Sequence, residues 1–272
     1  MITVRLQGGM GNQMFQYACG RAIAIKRKFG LILDPTQLDK ASVPRHYQLG
    51  PFNIQANIAT ITSGNVKVVS ERHFHYDPGV FDIHDTNTLI GYFQSEKYFI
   101  GIADVIRKDF TLRTIEEQKL KKNKLGWELF KRAKSCNSVS VLIRRGDYVT
   151  NSQMNKFHGV CSLDYYNECM DYIASKVEHP MFFLLTDDPE WVAEHMIPKY
   201  PHILATNGSL LDYQEMILAS HCKHHITSNS TFGWWGAWLG SNPNKIICAP
   251  KQWFVDTSMN TSDLIPRSWV RL

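Results

Sequence analysis

The sequence has no closely paired cysteines. Its six cysteines, Cys19, Cys136, Cys161, Cys169, Cys222 and Cys248, include no C-x-x-C pair. A chain of 272 residues buries a sizeable core without covalent staples, so the expectation is reduced thiols in a cytosolic protein. No apolar run approaches the roughly 20 residues that span a bilayer. The chain opens on strand-like Ile2-Thr3-Val4-Arg5-Leu6 rather than on a basic-then-apolar leader, which favours a cytoplasmic location. Excess charge of one sign is also scarce. Thirty basic and 25 acidic residues leave +5, short of the concentrated positive charge of a nucleic-acid binder. That balance suits an anionic small molecule or an acidic membrane face. There is no internal repeat and no low-complexity stretch. An apolar fraction of 44% and a charged fraction of 20% are those of an ordinary globular protein.

What is present is alternation. Strand 2–6, the turn Gly8-Gly9-Met10-Gly11-Asn12, a helix from Gln13 to about Phe29 and strand Leu31-Ile32-Leu33 form a β-loop-α-β unit. Residues 35–65 are broken by Pro35, Pro44 and Pro51. Strands follow at Val66–Val69 and Thr88–Phe93, then a helix from Glu96 to about Lys108 and a lysine-rich helix over 114–134. The expected domain boundary falls after Cys136, giving 1–136 and 137–272. The second half alternates strands at 138–143, 181–185, 202–205, 224–227 and 245–248 with helices near 162–176, 188–197, 209–221 and 231–239. This is the pattern of a doubly wound α/β domain. Ligands of such domains sit at the carboxyl ends of strands, which singles out loops 7–13, 144–149, 186–189 and 228–231.

Arg144-Arg145-Gly146-Asp147 directly follows an apolar strand. Adjacent residues at a strand end point to opposite faces, so one arginine faces the crevice while the other is held by Asp147 or backbone carbonyls. A guanidinium fork matches phosphate oxygens; the competing reading is a structural Arg–Asp pair. Gly11, Asn12 and Gln13 open a helix, with close backbone approach and amides suited to phosphate or sugar hydroxyls; the bland alternative makes Asn12 an N-cap. A dinucleotide fingerprint fails here, because Met14 stands where the third glycine belongs. Ser228, Asn229, Ser230 and Thr231 precede Phe232 and three tryptophans. They serve equally as caps or as phosphate ligands, and most of the tryptophans belong in a core. Asp188 before Pro189 reads as a helix N-cap, leaving Asp187 to accept hydrogen bonds. No third ligand accompanies that acid pair, and His221-Cys222-Lys223-His224-His225 matches no zinc spacing, so no metal is expected. Lys119–Lys124 reads as a solvated helix face, with contact to acidic lipid headgroups as the alternative.

Together these segments resemble the bacterial α-1,2-fucosyltransferases of glycosyltransferase family eleven, over nearly the whole chain and in order. Gly8–Ala18 looks like that family's start, Gly91–Phe99 like its middle segment, and Arg144-Arg145-Gly146-Asp147-Tyr148 like its H-x-R-R-G-D-Y motif. Thr186-Asp187-Asp188-Pro189 and Ser228–Trp238 complete the set. The resemblance implies two Rossmann-like domains facing a cleft (the GT-B type), with acceptor side 1–136 and donor side 137–272. It implies GDP-fucose as donor, no metal or other cofactor, inversion at the anomeric carbon, and transfer to the 2-hydroxyl of a terminal galactoside, free or lipid-linked. The implied roles are Arg144, with Arg145, on the diphosphate, Asp187 on guanine, Ser228–Phe232 on the phosphate side, and Asn12 with Gly11 and Gln13 toward fucose. Arg144 and Asp147 are the expected catalytic pair, with His158 and Asp164 as further base candidates. Loops 35–65 and 150–160 are expected to meet the acceptor. One departure stands out: Leu142 replaces the motif's histidine, on the same side of the strand as Arg144. The competing functions are a NAD-linked dehydrogenase, which lacks its glycine, and a non-catalytic sugar-binding protein, which leaves the paired arginines unexplained.

Overall fold

The computed structural model describes residues 1–40, 43–61 and 67–272. The chain divides into two units: Met1–Ile115 with Met259–Pro266, and Glu116–Ser258 with Arg267–Leu272.

The first unit contains β1 (Ile2–Arg5), α1 (Met10–Arg27), β2 (Leu31–Asp34), β3 (Asn57–Ile58), β4 (Val68–Ser70), β5 (Thr88–Ile90) and α2 (Ala103–Asp109). Its sheet runs β3-β2-β1-β5-β4 with every pairing parallel. The helix α1 begins three residues earlier than its apolar periodicity suggests. Gly9 holds the N-cap position with no side-chain cap, so Asn12 lies inside the first turn and is not the cap. The strand expected at 66–69 is observed at Val68–Ser70; Val66 lies outside the described residues. The helix expected over 96–108 is broken into two short 3-10 turns, Glu96–Tyr98 and Ile100–Ile102, before α2.

The second unit contains α3 (Thr114–Lys122), whose first two residues belong to the first unit, then α4 (Lys124–Ser135), β6 (Asn137–Ile143), α5 (Gly146–Thr150), α6 (Ser152–His158), α7 (Leu163–Ala174), β7 (Pro180–Thr186), α8 (Pro189–His195), β8 (His202–Leu204), α9 (Asp212–His221), β9 (His224–Ile226), α10 (Thr231–Leu239), β10 (Ile247–Ala249) and β11 (Val270–Arg271). The single lysine-rich helix of the sequence reading is split at Asn123, whose side chain caps α4 at Gly126 N and also bonds Ser209 O. The division at 115/116 differs from the boundary expected at 136/137. The cause is packing: Asn123 and Gly126 fit against Ser209 and Leu210, which ties α4 to the second sheet. Residues 259–266 join the first unit because Asp263 bonds Tyr76 N and Lys97.

The second sheet runs β11-β10-β9-β6-β7-β8, all parallel. Read from β8, this is the Rossmann order, with its switch point between β6 and β9. β6 and β7 are buried on both faces, which accounts for the apolar run of β7 and for the small buried Ser138 and Ser140 among the apolar residues of β6. Val139, Val141 and Ile143 pack in a core with Tyr166, Cys169 and Ile173 of α7. On the opposite side Leu142 lies against Gly233 and Gly236 of α10, where an added Cβ on Gly233 would stand 3.3 Å from Leu142 Cβ. Trp234, Trp235 and Trp238 are buried together, as expected of core residues.

Candidate active site

The register of β6 against β7 pairs Ile143 with Thr186. The next residues along, Arg144 and Asp187, therefore emerge side by side. Arg144 Nη1 lies 2.8 Å from Asp187 Oδ2, and Nη2 bonds Asp147 Oδ1. Burial works to lower the Arg144 pKa, but the Asp187 and Asp147 carboxylates outweigh it and hold the guanidinium above its ordinary range. Arg144 is thus a permanently charged fork whose orientation is set before any ligand arrives.

Arg145 points elsewhere. Its guanidinium carbon stacks 3.4 Å from the centre of the Trp191 ring, and its Nε bonds Asp188 Oδ2 at 3.0 Å. Asp188 is also the N-cap of α8, accepting from Trp191 N as expected. Arg145 N donates to Asp187 Oδ1 at 2.8 Å. The partner of Arg145 is therefore Asp188, while Asp147 serves Arg144. Gly146 leaves room for the Asp187 carboxylate: a Cβ there would press on Asp187 Oδ2 and displace it.

A cavity of about 330 Å³ opens over the carboxyl ends of the strands. Its wall follows sheet order: Ser228 and Ser230 after β9, Arg144 after β6, Thr186 and Asp187 at the end of β7, Thr206 after β8. Phe232 and Gly233 from the first turn of α10 complete one side. The amides of such a turn have no acceptor within their own helix and favour anions. Leu210, Asp212 and Glu215 line the wall as well. Glu215 had no motif to mark it in the sequence. It is nearly buried, and burial pushes its carboxyl up to about 7, against the lowering effect of a Thr206 hydrogen bond.

Other expected site residues have structural duties. The Asn229 side chain donates to His158 O and Trp253 O and accepts from Cys161 Sγ, holding two loops together. Asn229 and Thr231 do not line the cavity. Asp164 lies exposed in the first turn of α7. His158 stacks on Tyr148 at 4.3 Å, and burial pushes its pKa down to about 4. The imidazole is neutral and a weak base. Each histidine of the 221–225 cluster already has a ring nitrogen in a protein hydrogen bond: with Ile217 O, Ile246 N and Ser140 Oγ in turn.

In the first unit, Gln13 serves the scaffold. Its Nε2 donates to Gly8 O and His46 O, and its Oε1 accepts from Gln48 N. Gly11 is buried in the first turn of α1. Asn12 is partly exposed at the carboxyl end of β1. Lys119 and Lys121 pair with Glu116 and Glu117. No helix of the described residues is long and apolar enough to cross a membrane.

Two parallel α/β units, one of them in Rossmann order with an arginine fork at its switch point, define the class: a two-domain α/β protein of the GT-B type. The solved NodZ α-1,6-fucosyltransferase co-crystallised with GDP shares this fold, with a TM-score of 0.50 and 14% identity over 86% of this chain and 91% of that one. The profile of glycosyl transferase family 11 matches residues 1–272, and the chain belongs to that family. It is a glycosyltransferase. It is 31% identical to an α-1,2-colitosyltransferase of Escherichia coli, covering all of this chain and 99% of that protein. The O-antigen biosynthesis glycosyltransferase WbnK of Escherichia coli is also 31% identical, over 98% of this chain and 99% of its own length. A galactoside 2-α-L-fucosyltransferase of Caenorhabditis elegans is 27% identical, over 100% of this chain and 79% of its own length.

Proposed function

We propose that the protein transfers fucose from GDP-fucose to the 2-hydroxyl of a terminal galactoside, with inversion and without a metal. The observation that carries this reading is the Arg144 fork, fixed by Asp187 and Asp147 in a cavity that also holds a buried carboxylate. The names of the relatives point to the same sugar chemistry.

Fucosyl transfer places positive charge on the sugar and negative charge on the departing diphosphate. Arg144 and the first turn of α10 stabilise that departing charge, with Ser228, Ser230 and Phe232 lining the same wall. Guanine is assigned to the far side of the cavity, by β8 and α9. β6 and β8 are two strand spacings apart, roughly 10 Å. Glu215 as carboxylate accepts from the N1–H and 2-amino groups of guanine, an edge that adenine does not offer. The base is assigned to Glu215 rather than Asp187 because both Asp187 oxygens are turned toward Arg144 and Arg145. Diphosphate binding competes with Asp147 for Arg144 Nη2. The freed Asp147 carboxylate is the general base candidate, a contribution of about 10²–10⁴-fold. Asn12 in the first unit is the sugar-facing amide.

The test is to incubate pure protein with GDP-fucose and a panel of free galactosides, with EDTA present, and to follow GDP release and product linkage by NMR. An α-1,2-fucosylated product is expected. GDP-colitose, whose sugar lacks the 3-hydroxyl of fucose, runs in parallel. Exclusive use of GDP-colitose overturns the fucose assignment, and turnover that requires added metal overturns the metal-free mechanism.

A further inference from the structure

The first sheet has its own switch point, between β1 and β5. Two turns leave it there, Gly8–Asn12 and Gly91–Gln94. One hydrogen bond ties the turns to each other and a second ties the Gly91 turn to α1. Gln16 Nε2 donates to Gly91 O at 3.0 Å, and Gln94 Nε2 donates to Asn12 Oδ1 at 2.9 Å.

Gln94 is 6% exposed, and its Oε1 is buried with no partner. A buried unpaired amide oxygen costs stability, and an apolar side chain of the same size would avoid that cost. Packing therefore does not explain a glutamine here. Its one polar contact does: it fixes which way the Asn12 amide faces. With Oδ1 taken by Gln94, the Asn12 NH2 group turns over Gly8, where a Cβ would stand 2.4 Å from Nδ2. Gly8 also has φ +75°, a conformation that disfavours other residues.

The turn carrying Gln94 is itself rigidly built. Glu71 accepts from Tyr92 N and Phe93 N, at 2.8 and 2.9 Å. Phe93 is held at φ +53°, and Gly91 leaves no room for a Cβ against Glu71.

We propose that Gln94 is a positioning residue that holds the Asn12 amide with its N–H groups outward, as a donor to an oxygen of the sugar nucleotide. This rests on the reading that Asn12 meets the donor sugar. Nucleotide binding is a separate task, assigned to the second unit.

The experiment compares Q94L, N12A, the double variant and Q94E in the full-length enzyme, with GDP-fucose and a galactoside acceptor. Q94L is expected to lower kcat about 20-fold or more while the GDP dissociation constant stays within threefold. The double variant is expected to be no slower than N12A alone. Q94E supplies a readout that a merely structural role would not move. Its ionised carboxylate cannot donate to Asn12 Oδ1, whereas its protonated form can. Activity of Q94E should therefore rise relative to wild type as pH falls from 8 to 6. A Q94L enzyme within threefold of wild type, additive losses in the double variant, or a flat Q94E pH ratio each overturn the proposal. A crystal structure of Q94L checks the clamp independently of the substrate: an Asn12 amide still seated over Gly8 overturns it whichever sugar nucleotide wild type uses. Wild type inactive on GDP-fucose, with the Asn12 amide turned in Q94L, overturns the functional reading alone.

Discussion

The carboxyl edges of the two sheets are both parallel edges with a switch point, and they differ in the side chains that surround it. In each, glycine-bearing turns leave a parallel sheet at its switch point. In the first unit the switch-point turns and the start of α1 carry amides, and the charge at that edge, Arg5 with Asp34, is paired within itself. Gln13 and Gln16 use theirs to bind backbone, and Asn12 is held by Gln94. In the second unit the turns carry charge. Arg144 is flanked by two carboxylates and opens onto a cavity that also holds Glu215. Neutral amides suit a sugar, whose hydroxyls donate and accept at little desolvation cost. A fixed cation suits a diphosphate, whose charge it offsets. Two parallel sheets of different strand order thus present switch points that suit different ligand chemistry, and the side chains there make the difference.

The division is tested most severely at Arg144. R144A should lower kcat/KM for GDP-fucose by about 10³-fold, in line with loss of a principal charge-stabilising group, with an unchanged circular dichroism spectrum. A loss under tenfold would refute the assignment.

Q13A is the converse experiment. Three hydrogen bonds disappear, at about 1 kcal/mol each. Stability in urea should fall by about 3 kcal/mol while the Kd for GDP-fucose stays within twofold. A large change in affinity with intact stability would place Gln13 in the binding site instead.

Glu215 gives a pH signature. Its folded pKa is raised to about 7 by burial, above the usual carboxylate value, so the folded state favours the protonated form. Stability is therefore greatest below the unfolded pKa and declines as pH rises toward 7. Guanine needs the ionised form, so GDP-fucose should bind about tenfold more weakly at pH 6 than at pH 8. E215Q should abolish that pH dependence, and should melt higher than wild type at pH 8 but not at pH 5. Calorimetry and thermal scans check both.

The smallest effect is expected at Arg145. R145K loses the stack on Trp191, worth about 1 kcal/mol, and should lower the melting temperature by a few degrees with donor affinity near wild type. A tenfold weaker Kd would return Arg145 to the donor site.

Much of this was legible before folding. The strands at 138–143 and 181–185 are legible from their β-branched and apolar runs, and the start of α10 from four small polar residues before an aromatic run. The two-residue edge strands β3 and β11 were not legible, because two residues carry no periodicity. Nor was Glu215. It precedes Met216-Ile217-Leu218-Ala219 on a largely buried helix, and nothing local separates it from a solvated acid.

The sequence by itself determined that a strand ends in two adjacent arginines, that they must face opposite ways, and that the surrounding motifs belong to one family. Only the tertiary structure decided which arginine faces the cavity. Residues 144 and 187 are far apart along the chain, and the β6–β7 register places them together. Trp191 and Asp188 draw Arg145 away from the cavity. Strand alternation sets the two faces of β6, but the charge and ring waiting on each face come from other strands and helices.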